Sequence, residues 1–85
     1  MYLRPYNLNL TLSPDDTLNL PQYVARALLT AAVYVGTAGD VTSVDENGVT
    51  TLWKAVPAGT FLQIAVKRIN STGTGASNLV ACYWT

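Results

Sequence analysis

The side chains able to do chemistry are few, and their spacing is uninformative. There is no histidine, so the commonest general base, metal ligand and triad member are missing together. That removes most hydrolase and metalloenzyme readings. Asp15-Asp16 and Asp45-Glu46 are the only paired acids. They could be imagined as an acid/base couple or as calcium ligands, but adjacent turn residues lack the fuller oxygen set calcium takes, and we read them as solvated turn acids. Asp40, after Gly39, is expected to accept backbone N–H bonds. Gly73-Thr74-Gly75 resembles a fragment of a phosphate loop, without the Lys-Ser/Thr and helix that would complete it. Cys82 is alone, which excludes an internal disulfide and any metal spacing; in an apolar strand it reads as an inert core residue. Lys67 and Arg68 point to opposite faces, which would set one at a contact or against an acid and the other in solvent. Asn9-Leu10-Thr11 and Asn70-Ser71-Thr72 match the glycosylation pattern, which has no force without a signal peptide. The sequence therefore predicts no catalytic, cofactor-binding or metal-binding residue, no cofactor and no enzyme.

Aromatic residues remain. Trp53, Tyr83 and Trp84 could form a sugar-stacking surface, though packing and subunit contact use aromatics more often.

The elements that carry these residues read as β-structure. Apolar, β-branched runs are cut by turn signals at Gly36 to Asp40, at Asn47-Gly48 and at Pro57-Ala58-Gly59, a spacing of about ten residues that marks an antiparallel all-β domain. Asn47-Gly48 predicts a two-residue type I′ hairpin, placing Val44 opposite Thr51 and Thr42 opposite Trp53, with Val44, Val49 and Trp53 inward. Leu8, Leu10 and Leu12 alternate with Asn7, Asn9 and Thr11, a half-buried strand preceded by Tyr2, Leu3 and Tyr6. That arm would lie on its own sheet or across a neighbour. Thr17 to Leu20 is a second short alternating piece, stopped by Pro21. From Gln22 the residues favour a helical turn as far as Leu28, and then a strand from about Thr30 to Val35. Leu62, Ile64 and Val66 alternate with Gln63, Ala65 and Lys67 as a further strand. Ser71 to Ser77 reads as the most flexible loop. Leu79 to Trp84 is apolar on both sides, which suggests cover from the second sheet and from another subunit. The expected fold is a small antiparallel β-sandwich or barrel of six to eight strands, with residues 1–20 an N-terminal arm and 21–85 the sandwich.

Composition says how such a fold could live. A chain of 85 residues buries only roughly 60 to 65% of its unfolded surface, so its core is thin. Yet 49% of the residues are hydrophobic and 12% charged, where about 25% charged is ordinary. Apolar surface in excess of what one small sandwich can hide points to an interaction surface. Five basic and five acidic residues cancel, and Arg4, Arg26, Lys54, Lys67 and Arg68 are too dispersed for nucleic acid. The longest uncharged apolar run, Ala27 to Gly39, falls short of the ~20 residues of a membrane span. No apolar leader core is visible near the start. We expect a soluble protein made in a cytoplasm, bound to neither nucleic acid nor membrane.

Taken in order, several stretches resemble a known family. Tyr34-Val35-Gly36-Thr37-Ala38-Gly39-Asp40-Val41, then Val56-Pro57-Ala58-Gly59-Thr60-Phe61-Leu62-Gln63-Ile64, then Lys67-Arg68-Ile69, Thr72-Gly73-Thr74 and Leu79-Val80-Ala81-Cys82-Tyr83 are similar to the spike-base protein family of tailed phages and gene-transfer agents. Ser13 to Pro21 resembles that family's lead-in. Two departures stand out: Leu29 to Val33 separate Arg26-Ala27-Leu28 from Tyr34, and the arm through Leu12 has no counterpart. The resemblance implies a β-structured virion protein made in the host cytoplasm, sitting on the capsid surface as a ring and carrying a fibre or spike. A capsid decoration (cement) protein or a tail component stays open beside it, as does a carbohydrate- or receptor-binding module. The implied partners are copies of the chain itself, as a pentamer or trimer, the major capsid protein and a fibre protein. Tyr34, Trp53, Phe61, Tyr83 and Trp84 are the candidates for subunit or capsid contact.

Overall fold

The computed structural model describes residues 5–85; Tyr2 and Leu3 of the arm, and Arg4, lie outside them. Seven strands and one short helix follow in the order β1 (Leu8–Leu12), α1 (Pro21–Arg26), β2 (Ala32–Thr37), β3 (Gly39–Val44), β4 (Thr50–Val56), β5 (Thr60–Leu62), β6 (Arg68–Asn70) and β7 (Ser77–Tyr83). They form a four-stranded sheet, β1-β7-β2-β5, and a three-stranded sheet, β4-β3-β6, whose pairings are antiparallel. This is a β-sandwich, as the alternation predicts. β1 belongs to its own chain's sheet, where it forms an edge against β7.

Register aligns the core in rows. Leu10, Ala81, Val33 and Leu62 form one row across the larger sheet, and Leu12, Leu79 and Val35 form the next. Val41, Val56, Ile69 and the half-buried Trp53 meet them from the smaller sheet. Each fully buried aliphatic side chain here contributes on the order of 1.5–3 kcal/mol, and the core is a single layer of them.

The only predicted hairpin that joins neighbouring strands is β3–β4, and its register differs by one residue from expectation. Val44 pairs with Thr50 and Val41 with Trp53. The loop has three residues: the Asp45 N–H donates to the Val49 carbonyl at 3.1 Å, and the Gly48 N–H donates to the Asp45 carbonyl at 3.0 Å. The Asp45 carboxylate decides it, accepting the N–H groups of Asn47 and Val49 at 3.0 Å each. Positive φ is then needed at Gly48 alone, at +82°, the geometry of a type I turn followed by a bulge. The slip exchanges the faces of β3 alone: Val41, in place of Val44, shares the core side with Trp53, which faces inward as expected, while Val49, at the loop end of that side, is exposed.

The other punctuated stretches are crossings between sheets. β2 ends at Thr37 and β3 begins at Gly39 in the opposite sheet. The Asp40 carbonyl accepts N–H groups from Gly75 and Ala76 at 2.9 and 3.1 Å, which draws the two backbones together. A Cβ on Gly39 would lie 2.5 Å from the Ala76 nitrogen. The expected flexible loop is thus held at its end, and also by Thr74, whose hydroxyl accepts the Thr42 N–H at 3.0 Å. Pro57 to Gly59 carries the chain back, with the Gly59 N–H on the Val35 carbonyl at 2.7 Å.

The strand expected through Val66 ends at Leu62, because 63–67 crosses to the smaller sheet. Its alternation survives: Ile64 and Val66 face inward, Gln63 and Ala65 outward. Without a strand partner, its buried backbone is satisfied by Thr30, 2% exposed. The Thr30 hydroxyl donates to the Ile64 carbonyl at 2.8 Å and accepts the Val66 N–H at 3.0 Å. Thr17 to Leu20 is likewise no strand; Leu20 anchors it through an N–H bond to the Lys67 carbonyl at 2.8 Å. The helical turn is α1, with the following strand displaced to Ala32.

Thr30→Val keeps the shape and removes both hydroxyl bonds, so urea denaturation should show a loss of about 1–3 kcal/mol. Gly39→Ala forces backbone apart at the first crossing and should cost about 1–3 kcal/mol in the same assay. An unchanged midpoint for either variant would contradict the role given to that residue.

Candidate functional site

The larger sheet's outer face carries the site. Along β7, Leu79, Ala81 and Tyr83 turn inward, so Val80 and Cys82 turn outward. Register sets Val80 beside Tyr34, and Tyr34 beside Phe61 of β5. On the other side Asn9 pairs with Cys82. Tyr6, just before β1, and Trp84, just after β7, close over this row. Tyr6 stacks on Trp84 with centroids 5.3 Å apart and on Phe61 at 6.0 Å, while Tyr34 tilts against Phe61 at 4.9 Å. Offset and tilted aromatic pairs of this kind are worth about 0.5–1.5 kcal/mol beyond burial. The Tyr6 hydroxyl donates to Gln63 Oε1 at 2.8 Å.

The result is an open groove of about 600 Å³, lined by Pro5, Tyr6, Asn9, Tyr34, Phe61, Gln63, Val80 and Cys82. None of these carries a formal charge. Phe61 remains 49% exposed. Such a surface can bury apolar area against another molecule; it offers no acid, base or nucleophile at ordinary pH. Burial pushes the Cys82 thiol up, away from the reactive thiolate.

Of the five contact candidates, Tyr34, Phe61 and Trp84 come together here. Tyr83 is 1% exposed and packs in the core of its own chain, where burial, and then the neighbouring Cys82, pushes its phenol up. Trp53 lies on the smaller sheet, packs against the core and donates its indole N–H to Ser43 Oγ at 3.0 Å. Trp53 and Tyr83 therefore turn into one core from opposite sheets while Trp84 lies on the outer face, so the three do not share the surface that sugar stacking would need. Tyr6 is the member that sequence parity misses. Counting in steps of two from Leu8 puts it inward, but the chain bends at Asn7 and the alternation restarts there.

The acids are spent on backbone. Asp15 accepts the N–H groups of Thr17 and Leu18 at 2.8 and 2.9 Å, and Asp40 accepts that of Ala55 at 2.8 Å. Asp16 clasps Thr72, accepting its N–H at 2.8 Å and its hydroxyl at 2.6 Å. Among the described residues no cluster of three metal-ligating side chains exists. Arg68 donates to amide oxygens, Asn70 at 2.8 Å and Asn19 at 3.2 Å, where the sequence set it or Lys67 at a contact or against an acid. The Lys67 ammonium sits 6.0 Å over the Tyr23 ring.

Fold and site together define a class, a small β-sandwich whose outer sheet face is an uncharged aromatic groove. Among solved structures, the chain is similar to a protein of the capsid of a native GTA particle, computed with C5 symmetry, with a TM-score of 0.76 and 28% identity over 92% of this chain and 83% of that one. Agreement across most of both makes the two chains homologous. No protein-family model and no curated protein matches.

Hydrogen bonds from Leu18, then Thr17, hold the Asp15 carboxyl below its usual 3.8, and those from Thr72 do the same for Asp16. A carboxyl whose folded value is lowered contributes stability that is present above its unfolded value and lost as pH falls through the folded one. The urea midpoint should therefore fall below pH 3.8, less steeply in Asp16→Asn. Equal acid slopes in the two proteins would show that the clasp contributes nothing.

Proposed function

We propose that this protein is a structural component of a tailed-phage or GTA-like capsid. It sits on the outside of the head as a spike base or decoration protein and acts as a homo-oligomer, a pentamer or trimer. The observation that carries this reading is the similarity to the GTA capsid chain over nearly its whole length. The groove agrees with it, because an uncharged aromatic surface on so small a chain suits permanent contact better than free solution.

Tyr34, Phe61 and Trp84 supply the contact surface, joined by Tyr6; Trp53 and Tyr83, turned into their own chain, have no contact role. The partners are further copies, the major capsid protein and, where a fibre is carried, the fibre protein. Chemistry plays no part.

Sedimentation velocity at micromolar concentration should give a discrete species at three or five times the 9.1 kDa chain mass, and that species should pellet with shells of the major capsid protein. A stable monomer that leaves the shells bare would overturn the reading.

A further inference from the structure

Asparagines stand at positions 7, 9, 19, 47, 70 and 78, and the fold treats one of them differently. The carboxamides of the others are tied. Asn7 bonds to Thr85, Asn9 to the Tyr6 carbonyl, Asn19 and Asn70 to Arg68, and Asn78 to Thr37. Asn47 engages only its backbone N–H, with the Asp45 carboxylate, and its exposed carboxamide is bonded to nothing among the described residues. It is also the one asparagine followed by glycine; the others precede leucine or serine.

That combination matters because asparagine is thermally labile, and its loss begins when the next residue's backbone nitrogen attacks the side-chain carbonyl carbon. A side chain on the next residue crowds that approach, and glycine has none. Around Gly48 the space is open, since a Cβ built there would meet nothing within 4 Å. One contact opposes the attack, the 3.0 Å bond from the Gly48 N–H to the Asp45 carbonyl. It sits in the exposed tip of the β3–β4 loop, where a single backbone bond opens readily. The other asparagines meet a stiffer backbone. Asn9, Asn70 and Asn78 lie in β1, β6 and β7, and the N–H after Asn19 is held by the Lys67 carbonyl.

We infer that Asn47-Gly48 is a self-modification site, at which the chain deamidates with water as the only co-reactant. The Gly48 nitrogen gives up its proton and bonds to Asn47 Cγ, the Cγ–Nδ2 bond breaks, and ammonia leaves behind a succinimide. Water then opens the ring. Addition at Cγ yields an aspartate side chain; addition at the backbone carbonyl carbon yields isoaspartate, with the main chain rerouted through the side-chain carbon. Either product sets a third negative charge after Asp45 and Glu46, in a chain whose formal charge is zero. Isoaspartate also adds an atom to the loop's backbone, which upsets the fit by which the Asp45 carboxylate accepts the N–H groups of both Asn47 and Val49. The loop belongs to the sheet that does not carry the groove, so the inference stands independently of the oligomeric reading.

Ageing the full chain tests it. After incubation at mildly alkaline pH, the peptide holding residues 45–50 should gain one mass unit and accept methyl groups from an isoaspartyl methyltransferase, while peptides holding the other asparagines keep their mass. The gain should slow in mildly acidic buffer, where base to take the Gly48 proton is scarcer. Asn47→Gln, whose longer side chain closes the ring poorly, should keep its mass throughout. A folded chain that stays unconverted while a synthetic peptide of the same residues converts would show that the loop protects the site. Conversion first at another asparagine would show that the fold selects differently. Either result overturns the inference.

Discussion

Strand β7 governs this molecule because it must satisfy two environments at once. It lies between β1 and β2, so its backbone is bonded on both edges, and alternate side chains are committed to opposite sides. Leu79, Ala81 and Tyr83 fill the core, while Val80 and Cys82 floor the groove. The same ladder brings Asn9 beside Cys82 and Tyr34 beside Val80, and so assembles one surface from segments far apart in the chain. Interior and outer surface are two faces of one strand, and neither can be altered without shifting the other.

Around that strand the chain changes sheets repeatedly, and each change must keep buried backbone polar groups bonded. Different residues solve the problem at each crossing. At Gly39 the absence of a side chain lets two backbones touch; Asp40 carries bonds from both its carbonyl and its carboxylate; Thr30 stands in for a missing strand partner at 64 and 66. The scarce charges do the same kind of work. Four aspartates hold turns and crossings together.

This explains what could be read in advance. Alternation at Leu8 to Leu12 and at Leu62 to Val66 reports burial on one side, and with the turn spacing it gave the strand class; the core rows, and the split of the contact candidates into outward Tyr34, Phe61 and Trp84 and inward Trp53 and Tyr83, depend on a register that no single strand carries. Punctuation was harder to read. Gly-Thr-Ala-Gly-Asp looks the same whether the chain turns back in one sheet or passes to the other, because both need a close approach and a small residue. The β3–β4 loop slipped by one because the decision between a two- and a three-residue loop lies with the Asp45 carboxylate and not with Asn47-Gly48. Tyr6 was invisible for a related reason, since parity holds only as far as a strand runs straight.

The groove's neutrality has a consequence for the conditions under which it can act. With no formal charge on its walls, a contact made there owes nothing to ion pairing, so rising ionic strength leaves it unscreened. Salts that are excluded from protein surfaces strengthen it, and cooling weakens it. A particle joined through such seams would hold together in brackish and fresh water alike.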